Sequence, residues 1–547
     1  MPQSLKIAIA QLNPSMGDLV ANADAILAAH AAAPDADLLM TPELSLIGYP
    51  PEDLVLKPAL EIAAEAQLQR LARATASAGP ALLVGTTHRT EAGLHNAFVL
   101  LAEGRIAGVT LKHDLPNYGV FDEKRVFVAG PLPSPLLFNG FRLGVPICED
   151  MWTAPVCEHL AAAGADLLLV PNGSPYELGK EDRRLALARA RAAESGLALL
   201  YVNRTGGQDE LVFDGGSFAV NADGVVAARL QDWDEATTMV TWRRDTGFAP
   251  AKRHAPDTHD EEIYHAMLVG LRDYVNRNRF PGVVLGLSGG IDSALSAAVA
   301  VDALGADRVW CVMLPSRFTS PDSLEDAAEC ARLMGTRLDT IPITPAVGAF
   351  DQMLGPLFAG HSPGLAFENA QSRIRMLALM GLSNAFGHML LTTGNKSEMS
   401  VGYATIYGDM AGGYSVLKDI YKTSVFRLCR WRNAHRPRLG LGPEGPVMPA
   451  RVITKPPTAE LRENQRDDDS LPPYDVLDPI LHGLVEEELS VAAIVARGFD
   501  PETVARIERL LYIAEYKRRQ APPGVKIGRR TFGRDRRYPI TNAFRTV

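Results

Sequence analysis

The chain has 547 residues and a net charge of -9, and 47% of its residues are hydrophobic, which is typical of a globular protein with a large core. The acidic balance argues against a protein that binds nucleic acid or a membrane surface. Five scattered cysteines indicate a reducing compartment, the first residues favour a strand over a signal peptide, and no apolar run reaches the ~18 residues of a membrane helix, so we expect a soluble, cytoplasmic protein.

Up to about residue 245, apolar segments typical of strands alternate with helical patterns. We predict strands at 7–10, 38–40, 81–84, 97–101, 142–147, 167–170 and 197–202, and helices at 58–78 and 181–194. This alternation predicts an α/β domain in which helices cover a sheet. Residues 231–260 are polar and contain several Pro and Asp residues, so we place the first domain at 1–245 and a linker at 246–260.

Three residues with reactive or charged side chains stand where strands of this domain end: Glu43, Lys112 and Cys148. A cysteine nucleophile needs a base, and a nearby carboxylate can take its proton. A lysine in the same pocket can stabilise the oxyanion of a tetrahedral intermediate. Taken singly, a cysteine at a strand end is more often a core residue, and a lone Lys or Glu is usually solvated. As a set, the three suit amide hydrolysis through a thioester.

The segments that contain these residues, 42–54, 112–123 and 147–150, resemble the carbon–nitrogen hydrolase (nitrilase) superfamily and follow its order. The resemblance implies that the domain is a four-layer α-β-β-α sandwich. It also implies that Glu43 is the general base, that Lys112 stabilises the intermediate and that Cys148 is the nucleophile.

A second α/β pattern occupies residues 261–547. Helices are predicted at 261–277, 294–304, 369–386 and 501–519, and another helix begins at the Ser320-Pro321 cap and ends at Gly335. Strands are predicted at 283–285, 309–314 and 389–393. We therefore expect a doubly wound, Rossmann-like parallel sheet in this half of the chain.

A glycine-rich turn at 288–293, with the sequence Ser-Gly-Gly-Ile-Asp-Ser, joins a strand of this domain to a helix. Such a turn binds phosphate because unpaired backbone amides point at the anion. No lysine follows the glycines, so this is not a Walker loop. It resembles the loop of the ATP-pyrophosphatases, which hold the ATP phosphates and release pyrophosphate. By that resemblance, ATP is a co-substrate whose binding residues are Gly286, Leu287, Ser288, Gly289, Gly290, Ile291, Asp292, Ser293 and Thr393.

A nitrilase-like amidase joined to an ATP-pyrophosphatase indicates one coupled reaction, in which ammonia from glutamine displaces AMP from an activated carboxylate. Segments 367–373, 392–398, 417–419, 456–461 and 515–523 extend a resemblance over nearly the whole chain. The family that it resembles uses glutamine to convert deamido-NAD to NAD, with AMP, pyrophosphate and glutamate as the other products. Because free ammonia would be lost to bulk water, we expect it to be channelled between the two sites.

The same resemblance implies roles for individual residues. Tyr118, Ser174 and Lys180 would contact glutamine. Deamido-NAD would be contacted by Asn369, Arg373, Glu398 and Lys517. Asp292 and Glu398 offer carboxylate oxygens suited to Mg²⁺. On sequence alone, Asn369 and Arg373 could equally be an ordinary pair on one helix face.

The segment from Lys517 to Tyr538 contains nine Lys or Arg residues and a single acidic residue, Asp535. Such a run is usually a solvated face or an RNA-binding arm. No RNA-binding motif accompanies it, and both nucleotide substrates carry phosphates, so we favour substrate binding or a contact between subunits. The resemblance also implies a homo-oligomer, between a dimer and an octamer.

Three other functions are compatible with parts of the sequence. One is a different ATP-pyrophosphatase amidotransferase, such as one that makes GMP or asparagine, but those glutaminases use a Cys-His-Glu set or an N-terminal Cys. A second is a synthetase that takes ammonia directly, and a third is a non-catalytic nucleotide or glutamine sensor. Intact Glu43, Lys112 and Cys148 argue against both.

Overall fold

The computed structural model describes residues 3–544, apart from 78, 359, 361–363, 464 and 470. The chain forms two compact units, Met1–Asp257 and Thr258–Val547. Among the described residues, no helix combines the length and the hydropathy that a bilayer crossing requires.

In its described residues, the first unit contains two large sheets, a two-stranded sheet formed by Thr205–Gln208 and Leu211–Asp214, and the helices that cover the large sheets. Its helices are α1 (Leu19–Ala32), α2 (Pro58–Ala74), α3 (Pro155–Ala162) and α4 (Lys180–Ser195). Its strands are β1 (Ser4–Gln11), β2 (Leu38–Met40), β3 (Ala81–Thr90), β4 (Gly93–Ala102), β5 (Arg105–Leu111), β6 (Leu136–Phe138), β7 (Phe141–Gly144), β8 (Leu167–Asn172), β9 (Leu199–Asn203), β10 (Thr205–Gln208), β11 (Leu211–Asp214), β12 (Phe218–Val220), β13 (Val226–Arg229), β14 (Ala236–Arg243) and β15 (Gly247–Phe248).

Two sheets pack face to face, with the strand orders β15-β14-β1-β2-β3-β4-β5 and β13-β12-β9-β8-β7-β6. Alternation along the strands assigns each side chain to a layer. On β1, Ile7 and Ile9 pack in the core between the sheets, whereas Ala8 and Ala10 pack in the core formed with α1 and α2. Helices α3 and α4 share a third core with the outer face of the second sheet. The predicted four-layer α-β-β-α sandwich is confirmed.

Some predicted boundaries in this half are wrong. The helix predicted at 58–78 ends at Ala74, and residue 78 lies outside the described part of the chain. Helix α1 was not predicted, because its many alanines mask the helical period of its apolar face. Part of the predicted linker 246–260 is structured: β15 pairs with β14 at its start, and the next helix begins at His259.

The second unit is built on a parallel sheet with the strand order β18-β17-β16-β19-β20. Its strands are β16 (Val283–Gly286), β17 (Val309–Met313), β18 (Arg337–Thr340), β19 (Met389–Thr392) and β20 (Tyr414–Ser415). Its helices are α5 (His259–Arg277), α6 (Ile291–Leu304), α7 (Pro321–Met334), α8 (Thr344–Leu354), α9 (Leu365–Phe386), α10 (Lys396–Val401), α11 (Lys422–Ala434), α12 (Ala450–Thr454), α13 (Tyr474–Val485), α14 (Val491–Val495), α15 (Pro501–Ile513) and α16 (Glu515–Arg518).

The central strand of this sheet, β16, lies between β17 and β19, and the strand order reverses around it. Open α/β sheets bind ligands at the carboxyl ends of the strands beside such a reversal. The predicted doubly wound parallel sheet is confirmed. The predicted cap is also confirmed, since Ser320 caps α7 and Gly335 ends it in the left-handed region. The helix predicted at 501–519 is wrong in its length, because it divides at Ala514 into α15 and α16.

The basic C-terminal segment forms buried ion pairs within the second unit. Lys526 pairs with Asp535 at 2.8 Å, and both side chains are almost fully buried. Arg518 and Arg536 both pair with Glu515, at 2.8 and 2.9 Å. For these side chains the structure shows an internal role, in place of the substrate or subunit contact that we expected.

Candidate active sites

Cys148 lies just beyond the end of β7, at the start of a tight turn, Cys148–Met151. Its φ of +49° is unusual for a residue with a side chain, and such strain is often found at functional positions. The Asp150 carboxylate holds the turn in place by accepting hydrogen bonds from the backbone N–H groups of Ile147 at 2.9 Å and Asp114 at 2.7 Å. Cys148 is therefore held on a fixed turn and is nearly buried, with 4% of the residue exposed.

Lys112 follows β5 and lies between two carboxylates. Its Nζ donates to Glu43 Oε1 at 2.6 Å and to Glu123 at 2.8 and 2.9 Å. The other oxygen of Glu43 accepts a hydrogen bond from the Gly173 N–H at 2.8 Å. Neither Glu43 nor Lys112 is exposed. We refer to Glu43, Lys112, Glu123 and Cys148 as the Cys148 centre.

The charges of the Cys148 centre define the protonation state of its thiol and its ammonium. Burial raises the pKa of Cys148 well above its ordinary value, the Glu43 carboxylate raises it further, and Lys112 opposes this effect. Burial alone would lower the pKa of Lys112, but the carboxylates of Glu123 and Glu43 raise it well above its ordinary value. The centre therefore contains a thiol, a fixed ammonium and a carboxylate that can accept the thiol proton.

Of the three residues predicted to contact glutamine, Tyr118 and Lys180 lie in one environment and Ser174 lies in a second. The Tyr118 hydroxyl donates to the Glu149 carboxylate at 3.0 Å, and Lys180 Nζ lies 5.5 Å from the centre of the Phe121 ring. Ser174 is buried, and its hydroxyl accepts a hydrogen bond from Arg184 Nε at 3.1 Å. Glu149 directly follows Cys148, so the first environment borders the nucleophile, whereas Ser174 is next to Gly173, which binds Glu43.

In the second unit, the turn 288–293 follows β16 and includes the first three residues of α6, and hydroxyl groups hold it together. Ser293 Oγ lies 3.0 Å from Ser288 Oγ and donates to the Gly290 carbonyl at 2.9 Å. Gly289 has a φ of +77°, and a Cβ there would lie 2.3 Å from the Ser323 carbonyl oxygen. No larger residue fits at this position without moving α7.

The turn opens onto a cavity of about 290 Å³, which we call the phosphate-loop cavity. Of the residues predicted to bind ATP, the cavity is lined by Gly286, Leu287, Ser288, Gly290, Ile291, Asp292, Ser293 and Thr393. Gly289 does not line it but packs against α7. Glu398, on α10, also lines the cavity, as do Lys422 and Arg375, which the sequence analysis did not single out.

Lys422 lies between the two predicted metal ligands. Its ammonium pairs closely with Asp292 and lies 3.5 Å from Glu398 Oε1. Asn395 also donates to Asp292, at 3.0 Å. Burial raises the pKa of Glu398 to about 8, with Lys422 opposing the rise and Asp292 adding to it. When Glu398 is ionised, one ammonium does not balance the two carboxylates, and their oxygens then suit a divalent cation such as Mg²⁺.

The remaining predicted deamido-NAD contacts converge on one loop, 402–406, and do not line the phosphate-loop cavity. Asn369 Oδ1 accepts a hydrogen bond from Thr405 at 2.9 Å, and Arg373 Nε donates to the Ile406 carbonyl at 3.2 Å. Lys517 Nζ donates to the carbonyls of Gly402 and Ala404, at 2.8 and 2.7 Å. The structure brings these three side chains together beside the loop that follows α10.

Comparisons with known proteins agree with both halves of this geometry. A carbon-nitrogen hydrolase family model matches residues 6–247, and an NAD synthase family model matches residues 263–521. The chain is 53% identical to a glutamine-dependent NAD(+) synthetase from Rhodobacter capsulatus, and the match covers 100% of both chains. A relative of the same description from Thermotoga maritima is 42% identical, with 99% of each chain covered. The chain belongs to the glutamine-dependent NAD(+) synthetase family.

Solved structures of this family are similar to the chain over its whole length. The glutamine-dependent NAD⁺ synthetase of Acinetobacter baumannii, in complex with ADP, has 43% sequence identity and a TM-score of 0.78, and 100% of both chains is covered. The one from Cytophaga hutchinsonii, at 22% identity and a TM-score of 0.82, covers 99% of this chain and 98% of its own, and it shows the shared fold. The chain is thus an enzyme with a glutaminase domain and an NAD synthase domain.

Sequence reasoning about this family member missed Glu123, Lys422 and Arg375. Glu123 is the last residue of segment 112–123, on which the nitrilase resemblance partly rests, so the sequence could have indicated this position. Arg375 lies two residues after Arg373 on α9, which is a rotation of about 200° around the helix. These two arginines therefore point to opposite sides, and Arg375 is the one that lines the cavity. For Lys422 the sequence offers no signal beyond its place after β20.

Proposed function

We propose that the Cys148 centre hydrolyses glutamine to glutamate and ammonia. The observation that carries this proposal is the ammonium of Lys112, fixed within hydrogen-bond distance of Glu43, with both charges acting on the buried thiol of Cys148. Tyr118, Ser174 and Lys180 are the proposed contacts of the glutamine.

In this mechanism, Glu43 takes the thiol proton as Cys148 Sγ attacks the amide carbon of glutamine. Lys112 stabilises the oxyanion that forms, because its ammonium is already in place and needs no rearrangement. Glu43 then returns the proton to the amide nitrogen, which leaves as ammonia, and a thioester remains on Cys148. Water, deprotonated by Glu43, attacks the thioester carbonyl, the Cys148 thiolate leaves and takes the proton back from Glu43, and glutamate is released.

In the second unit, we infer that the turn 288–293 and Thr393 hold the phosphates of ATP, while Asn369, Arg373, Glu398 and Lys517 bind deamido-NAD. The carboxylate of deamido-NAD attacks the α-phosphate and pyrophosphate leaves, which gives an adenylate. Ammonia attacks the adenylate carbonyl and AMP leaves, which gives NAD. Lys422 and Arg375 bring positive charge to the cavity where negative charge moves to the leaving groups.

Asp292 and Glu398 are the proposed ligands of Mg²⁺. When bound there, the ion would neutralise phosphate oxygens and so ease the departure of pyrophosphate. We propose that ammonia passes from Cys148 to the adenylate without entering bulk water, since protonation there would remove the nucleophile. The cytoplasmic location remains a prediction from the sequence.

We also propose that the enzyme is a homo-oligomer. Apolar side chains of α8, α9 and the turn between them are unusually exposed: Met353, Leu357, Leu365 and Leu377 are each 69–76% exposed. Apolar surface of this kind marks association sites on soluble domains. A second copy of the chain is the partner that we propose for this face.

The test measures NAD formation from deamido-NAD and ATP–Mg²⁺ with either glutamine or ammonium as the nitrogen donor. Cys148→Ala should lose the glutamine-driven reaction and keep the ammonium-driven one. Cys157→Ala, at another buried cysteine of the same unit, is the matched control and should keep both. If Cys148→Ala still uses glutamine, the assignment of the nucleophile is wrong.

A further inference from the structure

Helix α10 is the short element that carries Glu398, and residues far away in the sequence hold it at both ends. The helix has six residues, Lys396–Val401, and its cap residue Asn395 donates to Asp292. A helix of about one and a half turns has little stability of its own, because the free-energy cost of nucleation exceeds the gain from its few hydrogen bonds. The position of Glu398 therefore depends on what anchors α10.

The first anchor is at the start of the helix. Lys396 is fully buried, and its ammonium pairs with Asp419 at 2.7 Å and closely with Glu486. It also donates to the carbonyl of Arg530, at 2.7 Å. One lysine thus ties α10 to two carboxylates and to the C-terminal segment.

The same two carboxylates hold the backbone of the C-terminal segment. Asp419 Oδ2 accepts hydrogen bonds from the N–H groups of Ile527 and Gly528, both at 2.7 Å. Glu486 Oε2 accepts one from the N–H of Arg530 at 2.6 Å. We call Lys396, Asp419 and Glu486 the Lys396 cluster. Removal of one of these charges leaves the others buried without full compensation, so the cluster acts as a unit.

The second anchor is at the end of the helix. Arg518 is buried, and its Nη1 donates to the carbonyls of Met399 at 3.1 Å and Ser400 at 2.6 Å. These carbonyls belong to the last turn of α10, where a positive charge is favourable. Glu515 fixes Arg518 and Arg536 together, so this anchor also belongs to the C-terminal segment.

We propose that residues 515–536 are a clasp whose anchors, the Lys396 cluster and Arg518, position Glu398 for the cation and nucleotide. In this view the basic character of the segment serves the geometry of α10, and Lys396 and Arg518 are positioning residues. The proposal rests on the proposed function of Asp292 and Glu398 as metal ligands. It predicts that changes in the clasp alter ligand binding in the phosphate-loop cavity, and that ligand binding there affects the clasp. A merely stabilising segment would lack this coupling.

The first test measures binding of Mn²⁺ in the presence of α,β-methylene-ATP, by electron paramagnetic resonance of the unbound ion. Lys396→Met and Arg518→Met should raise the dissociation constant of Mn²⁺ by about 10- to 100-fold, as loss of a supporting contact around a metal site does. Arg530→Gln is the matched control, because that side chain pairs with the half-exposed Glu488. It should bind Mn²⁺ like the wild type, and glutamine hydrolysis should be unchanged in all three variants.

The second test uses the wild-type enzyme and does not depend on whether the variants fold. Because coupling is reciprocal, Mn²⁺ with α,β-methylene-ATP should slow hydrogen exchange at the N–H groups of Ile527, Gly528 and Arg530. Unchanged exchange there, or wild-type Mn²⁺ binding by folded Lys396→Met and Arg518→Met, overturns the clasp. Wild-type binding by Glu398→Gln instead overturns the metal assignment on which it rests, so the two failures are distinguishable.

Discussion

In the Cys148 centre and in the phosphate-loop cavity alike, one lysine lies between two carboxylates. Lys112 contacts Glu43 and Glu123 at 2.6 and 2.8 Å, and it is fully buried. Lys422 pairs closely with Asp292 but lies 3.5 Å from Glu398, and all three line an open cavity. The same charge pattern is thus tightly paired and closed in one site, and more loosely paired and open in the other.

The difference matches the chemistry that we propose for each site. The covalent catalysis that we propose at Cys148 needs its base and its cation in place before glutamine arrives, since electrostatic stabilisation works through groups that do not rearrange. The phosphate-loop cavity is instead the proposed site of ligands that bring their own charges, namely a cation and the phosphates of ATP. Burial raises the pKa of Glu398 to about 8, and a bound cation would favour the ionised form of this carboxyl group.

The largest expected effect comes from removing the cation of the closed site. Lys112→Met leaves Glu43 and Glu123 as adjacent buried carboxylates and removes the charge that stabilises the oxyanion. We expect glutamine hydrolysis to fall about a thousandfold and the free energy of unfolding to fall by about 3–5 kcal/mol. Steady-state glutaminase assays and urea denaturation measure the two effects. Equal loss in Lys57→Met, at an exposed position, would argue against a specific role.

The open site should respond to pH through Glu398. Its raised pKa means that the carboxyl holds a proton below about pH 8, and a metal ion must displace that proton to bind. The affinity for Mn²⁺, measured with α,β-methylene-ATP, should therefore rise about tenfold per pH unit up to about pH 8 and then level off. Glu398→Gln should lose this part of the slope. A wild-type affinity that stays flat through this range contradicts the prediction.

A smaller effect sharpens the picture of the closed site. The Tyr49 hydroxyl donates to Glu123 Oε1 at 2.8 Å and is buried. Burial raises the pKa of Glu123, and this hydrogen bond opposes the rise by favouring the carboxylate. In Tyr49→Phe the pKa of Glu123 should rise further, so the rate of glutamine hydrolysis should start to fall at a higher pH as the solution is acidified. At the optimum we expect a loss of roughly tenfold. An unchanged pH profile would show that Tyr49 has no influence on Glu123.

Much of the fold, and the positions at which the candidate site residues lie, could be predicted from the sequence. Glu43, Lys112 and Cys148 each follow an apolar strand, and the turn 288–293 has a local pattern with a direct physical meaning. Local patterns do not reveal which distant groups meet. The contact of Lys396 with Arg530 spans 134 residues, and nothing near Lys422 indicates that it would face Asp292.

The basic C-terminal segment is a second case in which a local sequence pattern does not reveal the contacts of its side chains. Its composition suggested phosphate binding or a subunit contact, because a run of Lys and Arg is usually solvated. The structure instead buries Arg518, Lys526 and Arg536 against acidic and backbone partners. Charge composition therefore predicts the sign of a segment's net charge but not which groups its side chains contact.

The central claim is that one chain contains two separate chemistries, each with its own charged site. The most direct measurement compares Cys148→Ala with Asp292→Asn in two partial reactions: release of glutamate from glutamine, and formation of AMP from ATP and deamido-NAD with ammonium. Each variant should lose one reaction and keep a substantial part of the other. Loss of both reactions in both folded variants would contradict the account, because it would mean that the two sites do not act as separate centres.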